Sequence, residues 1–226
     1  MTGLSKAAVA VLSGLCLAGG APAGTTVDLT ADASRPAAND LVRATVFAEA
    51  RGSNPAELAR RINQEIADGL KTIKAKPGIA VKSGRQSTFP VYAQNQKIES
   101  WRLHSELVLE SRDAAAVSEL LGQLQQTGLV VGSVSQLPAP ETRSKVEDEA
   151  TRDAIAAFRQ RAAMVAAVFG KPYTIRHLNI QQGGHVPPPI LRASRASMAA
   201  EAAPLPLEAG ESLVTTTVSG QIEVAD

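Results

Sequence analysis

Between residues 141 and 169 apolar side chains recur at Val146, Ala150, Ala154, Phe158, Ala162, Val165 and Phe169, in steps of four or three. That period places them on one narrow face and predicts a long helix from Glu141 to Phe169. Much of the stripe is alanine, so a neighbouring element can approach closely, and the two phenylalanines fill the space that the alanines leave. The other faces carry Lys145, Glu147, Asp148, Glu149, Arg152, Asp153, Arg159 and Arg161. Gly170 stands where a left-handed residue would end the helix, and Pro172 forbids its continuation.

The rest of the chain supplies strands for such a helix to lie on. Val27 to Ala33 reads as a short strand, Ser34 to Asp40 as a turn containing Pro36, and Leu41 to Ala50 as an alternating strand. Asn54-Pro55 then gives an N-cap and a first-turn proline. The helix behind it presents Leu58, Ile62, Ile66, Leu70 and Ile73 on one face and ends at Lys76-Pro77-Gly78. Two strands follow, Ile79 to Tyr92 and Ile98 to Ser111. In the second, Trp101, Leu103, Ser105, Leu107 and Leu109 share one face, while Arg102, His104, Glu106 and Glu110 share the other, the mark of a half-buried antiparallel strand. A short helix from Asp113 to Thr127 turns Val117, Leu120, Leu121 and Leu124 inward. Strands are expected at Leu129 to Gln136, Tyr173 to Gln181 and Ser212 to Val224. Between the last two, Gly183-Gly184 and Pro187-Pro188-Pro189 open an alanine- and proline-rich stretch (187–210) without sustained period, read as a long loop or arm. The order β-β-α-β-β-α-β-α-β-loop-β predicts an α+β fold, with antiparallel sheet covered on one face by helices.

Composition changes this picture in three ways. Hydrophobic residues make up 44% of the 226 residues but aromatics only 3%, so alanine, valine and leucine must build the core. Charge is balanced at 23 basic and 22 acidic residues, which leaves no basic field to hold nucleic acid. The first 23 residues read as a leader: Lys6 precedes the apolar run Ala7 to Leu17, and Ala21-Pro22-Ala23 offers small residues for cleavage after Ala23. The run is too short to span a bilayer. Cys16 follows Leu15 rather than a small residue, which speaks against lipidation. The mature chain, residues 24–226, is then expected to be periplasmic, free of cysteine and free of a transmembrane segment.

Candidate chemistry is sparse. The three histidines, His104, His177 and His185, are far apart in sequence, whereas metal ligands must converge. His104 and Glu106, two residues apart on the polar face of one strand, form the best local pair. His177 on a strand and His185 in the loop read as solvated. Gly132-Ser133-Val134-Ser135-Gln136 matches a nucleophile elbow at three positions, but Gln136 replaces its last glycine and a proline-rich turn follows. Glu147 and Asp148 lie on an arginine-rich helix, as a solvated salt-bridged face would. Trp101 reads as core by its alternation, with Phe89 and Tyr92 flanking Pro90 on the strand before it. No catalytic, cofactor-binding or metal-binding residue is assigned, and no cofactor is expected.

The run from Ala150 through Ala154-Ile155, Phe158-Arg159, Arg161-Ala162 and Val165-Ala166 to Phe169-Gly170 resembles the C-terminal signature of the SIMPL-domain family. Trp101 to Glu110 followed by Asp113 to Leu124, and the earlier helix Pro55 to Ile73 with the strand through Tyr92, are similar as well. The resemblance spans about residues 40 to 181 plus the final strand. It implies a secreted or periplasmic protein without an established enzymatic activity. Some members are linked to envelope or oxidative stress, and some assemble into large ring- or channel-like homo-oligomers. The insertion between Pro187 and Gly210 departs from the pattern. Three readings follow. One is a non-enzymatic, self-associating envelope component. Another is a module that binds a ligand or an envelope protein through the groove beside the long helix or through the proline-rich arm. The last is a hydrolase, which has neither motif nor spacing behind it.

Overall fold

A computed structural model describes residues 24–94, 96–183 and 210–225. The leader with Cys16, His185 and nearly all of the stretch 187–210 lie outside the described residues. The elements are β1 (Thr25–Ala38), β2 (Leu41–Gly52), α1 (Pro55–Lys74), β3 (Ala80–Tyr92), β4 (Ile98–Ser111), α2 (Ala114–Gln126), β5 (Val130–Leu137), α3 (Pro140–Phe169), β6 (Tyr173–Gln182) and β7 (Glu211–Val224). Their order is the one expected from the sequence, and all strand pairs are antiparallel. The strands form two sheets, a four-stranded one ordered β3-β4-β2-β5 and a three-stranded one ordered β1-β7-β6.

The four-stranded sheet is built on β4, whose alternation puts Leu103, Leu107 and Leu109 on the face that α1 and α2 cover. Val42, Ala44, Val46 and Ala48 of β2 join them, as do Leu58, Ile62 and Ile73 of α1 and Val117, Leu120, Leu121 and Leu124 of α2. Helix α1 starts on the side-chain cap that the sequence predicts, and α2 starts one residue later than expected, with Asp113 as its cap. Asn54 Oδ1 accepts from the Ala56 and Glu57 N–H groups, and Asp113 Oδ1 accepts from Ala116 N–H.

Helix α3 lies instead on the three-stranded sheet. Its buried positions are Ala150, Ala154, Phe158, Ala162 and Ala166. A constant step of four advances about 40° each time on a 3.6-residue helix, so the contact stripe winds around α3. The stripe therefore passes to Ala166 rather than to Val165 and Phe169, and Phe169 is half-exposed where the helix ends. Gly170 closes α3 at φ 64°, the left-handed geometry expected of it.

Strand β1 runs to Ala38, straight through the turn expected at Ser34 to Asp40. Pro36 sits opposite Leu213 in a strand that, among the described strands, pairs only with β7, and on an edge strand the missing N–H can face solvent at little cost. The turn contracts to Asn39-Asp40, and these two residues carry the chain from one sheet to the other. Ala139 at the start of α3 has no side-chain cap of its own. Asp40 supplies one from outside: Oδ1 accepts from Ala139 N–H at 2.7 Å and Oδ2 from the Thr142 hydroxyl at 2.7 Å. Asn39 Oδ1 accepts from the Ser212 hydroxyl at 2.6 Å.

Candidate functional site

Helices cover one face of the four-stranded sheet. The other face presents Arg43, Phe47, Glu49 and Arg51 of β2 beside Glu110, Glu106, His104 and Arg102 of β4, in that register. His104 stands at the centre. Its Nε2 lies 2.8 Å from Glu106 Oε1, its Nδ1 lies 3.2 Å from Glu49 Oε2, and its ring stacks at 4.6 Å on Phe47 with a tilt of 31°. A carboxylate only accepts, so both bonds hold at once only when both ring nitrogens carry hydrogen, as in the imidazolium. Glu106 is held below the usual carboxylate range, first by the His104 hydrogen bond, with partial burial opposing and the Arg85 backbone N–H assisting. At Glu110 burial pushes upward, but the paired Arg43 and Lys82 outweigh it and the net shift is downward.

Alternation alone reveals the pair of His104 with Glu106. Glu49 and Ser87 escape it, because only strand register sets them opposite His104, from β2 and β3 respectively. Serine, histidine and glutamate in one row resemble a hydrolase triad, but the roles do not fit. A triad histidine needs one nitrogen free to take the nucleophile's proton. Here both nitrogens face carboxylates. The two glutamates also sit on opposite sides of the ring and do not converge on a point where a cation would be held. Among the described residues no three His, Asp or Glu side chains form a metal-binding group.

The other candidates are dispersed. Ser133 lies within β5 opposite Thr45, in extended backbone rather than at a strand-to-helix elbow. Glu147 accepts from Arg143 one turn earlier, as expected for a salt-bridged helix face. His177 is exposed on the polar face of the three-stranded sheet, where it borders a shallow cleft of about 380 Å³ with Asp28 and Gln221. A wider groove of about 620 Å³ runs between the end of the four-stranded sheet and the start of α3, lined by Leu41, Ile79, Glu110, Arg112, Pro140 and Glu141. Arg112 bridges Asp40 at 3.2 Å and Glu141 at 2.8 Å there. The Asp40 carboxyl is held low, first by the Ala139 N–H, against burial, then by Thr142 and Arg112. Trp101 is half-buried against the core, not enclosed by it, and Phe89 and Tyr92 are exposed.

The family model SIMPL, described as a protein of unknown function (DUF541), matches residues 27–222. The chain belongs to the SIMPL family. The match takes in both sheets and all three helices. Curated protein sequences give no match. Among solved structures this SIMPL chain is similar to one titled the crystal structure of AtUAH in complex with glyoxylate, at 13% identity and a TM-score of 0.24. That likeness covers 56% of this chain and 33% of the other, so the SIMPL chain spans about a third of that protein. At that score it says nothing of function. No described helix is long and apolar enough to cross a membrane.

Proposed function

We propose that this SIMPL protein is a non-enzymatic, exported component of the cell envelope that works by self-association, in a setting of envelope or oxidative stress. Strand β6 carries the reading. Among the described strands it is an edge strand, and Ile175, Leu178 and Ile180 lie in register with Ile222, Gly220 and Val218 on the face that α3 covers elsewhere. Helix α3 sits over β1 and β7, so these three side chains remain 37%, 37% and 44% exposed. An edge strand with an apolar row on one side is suited to receive a second copy. Charge balance removes the long-range repulsion that would oppose such pairing.

Light scattering of the chain from Gly24 onward over a concentration series tests this. The expected result is a discrete assembly that Ile180→Lys dissolves. A monomer at every concentration overturns it. The groove beside α3 supports a second reading, a module binding a ligand or an envelope protein. On that reading Arg112→Ala abolishes capture of the partner and leaves the solution mass unchanged.

A further inference from the structure

The few aromatic residues are unevenly placed. The chain has four phenylalanines, two tyrosines and one tryptophan. Phe158 anchors a core, but Phe89, Tyr92 and Trp101 gather at the closed end of the β3–β4 hairpin. Tyr92 stands opposite Ile98 there, and Pro90 opposite Trp101. Phe89, Tyr92 and Ile98 are 46%, 59% and 49% exposed. Pairing of β2 with β4 ends at the row Gly52–Trp101, and among the described strands β3 pairs with β4 alone. Beyond that row the hairpin is a two-stranded ribbon standing clear of the sheet. The ribbon itself carries Lys97 and Glu99, and Arg51 of β2 and Arg102 stand at its root, so three cations surround one carboxylate, Glu99, which is paired with Arg51 at 3.1 Å. The Arg102 guanidinium lies over the Phe89 ring at 5.8 Å, its apolar stem along the ribbon and its charge at the surface.

We propose that this hairpin end is a membrane-contact site that seats on a bilayer with anionic headgroups. Single exposed apolar residues are ordinary, but Tyr92 and Ile98 stand side by side on the projecting end, and Phe89 adds an exposed ring on the other side, one row inside Gly52–Trp101. Tryptophan and tyrosine favour the headgroup boundary, where an aromatic body meets acyl chains and a polar tip meets water. Ile98, nearer the tip than Trp101, reaches further in. Flanking cations then meet lipid phosphates, a short-range attraction that the balanced charge of the whole chain does not provide. The site shares no residue with β6, so it stands or falls apart from self-association.

Trp101 is the sole tryptophan, so its emission reports on this end directly. The experiment uses the exported chain recovered from cells, with its N-terminus read by mass spectrometry. It is mixed with vesicles of phosphatidylcholine alone or of phosphatidylcholine with phosphatidylglycerol. The expected result is flotation with the anionic vesicles, a blue shift of Trp101 emission on binding, and affinity about tenfold higher than for neutral vesicles, weakening with salt. Tyr92→Ser combined with Ile98→Ser lowers that affinity about tenfold with an unchanged circular dichroism spectrum. Phe89→Ser, on the other side of the ribbon, gives a second test should the pair perturb folding. Absence of flotation and blue shift with both vesicles overturns the proposal, as does full binding by the variants. A blue shift that grows with protein concentration without lipid also overturns it, by assigning the hairpin end to a second copy.

Discussion

The two halves of the molecule solve the same packing problem with different materials. Around the four-stranded sheet, leucine, isoleucine and valine from β2, α1, β4 and α2, with Ile79 and Leu129 just before β3 and β5, share the core, and no single side chain dominates. Around the three-stranded sheet, α3 offers Ala154 and Ala162 beside one large residue, Phe158. Alanine lets the helix axis come close to the strands, but the remaining volume must then be filled by a single ring. Gly220 shows how close the approach is, since a Cβ there would lie 3.1 Å from Phe158 Cζ and 2.3 Å from the His177 carbonyl oxygen. A distributed core tolerates local loss, whereas a core with one anchor concentrates its stability in that residue.

The sharpest way to break this contrast is Phe158→Ala, which removes the anchor at a cost of about 3–5 kcal/mol. Hydrogen exchange should show β1 and β7 losing protection before β4. Leu107→Ala in the other half costs about 2–5 kcal/mol and should leave the ranking of the two sheets unchanged. Gly220→Ala follows, at about 1–3 kcal/mol by chemical denaturation, because the added methyl meets backbone that cannot move aside. Asp40→Ala, expected to cost about 1–2 kcal/mol, removes the cap that ties α3 to the link between sheets. Since the folded Asp40 carboxyl titrates below its unfolded value of about 3.9, its contribution is complete above that pH and fades as pH falls through the folded value. The smallest effect is Glu106→Gln, under about 1 kcal/mol. Glu106 is likewise depressed. The gap between wild type and variant should be full above about pH 4.3 and close in acid, which thermal melts on either side can follow.

Local pattern carried most of these elements. The cap at Asn54, the stop at Gly170 and the alternation of β4 each depend on neighbours within a few residues, so the sequence displays them directly. Partners far along the chain are another matter. Pro36 reads as a turn until β7 is known to lie beside it. The division into two sheets follows from which strand meets which, and alternation is silent on that. Phe169 reads as core because periodicity does not show where a helix overruns its sheet. In the candidate site, Glu106 was legible beside His104, while Glu49 and Ser87 arrive only through register.

Strand β7 has a consequence for the order of events in folding. It lies between β1 and β6, and β1 has no other sheet partner among the described strands. Ser34 meets Thr215 across 181 positions of chain. Residues of β1 therefore emerge from the ribosome long before their complement, and the sheet closes only after β7 has been made. Contacts of such separation form slowly, because loop closure precedes any gain from pairing. The half built on α1, β4 and α2 has contacts of shorter separation than those of β1 with β7 and can collapse first. A chain that withholds β7 in this way keeps its three-stranded half open through synthesis, while the half around β4 can already pack.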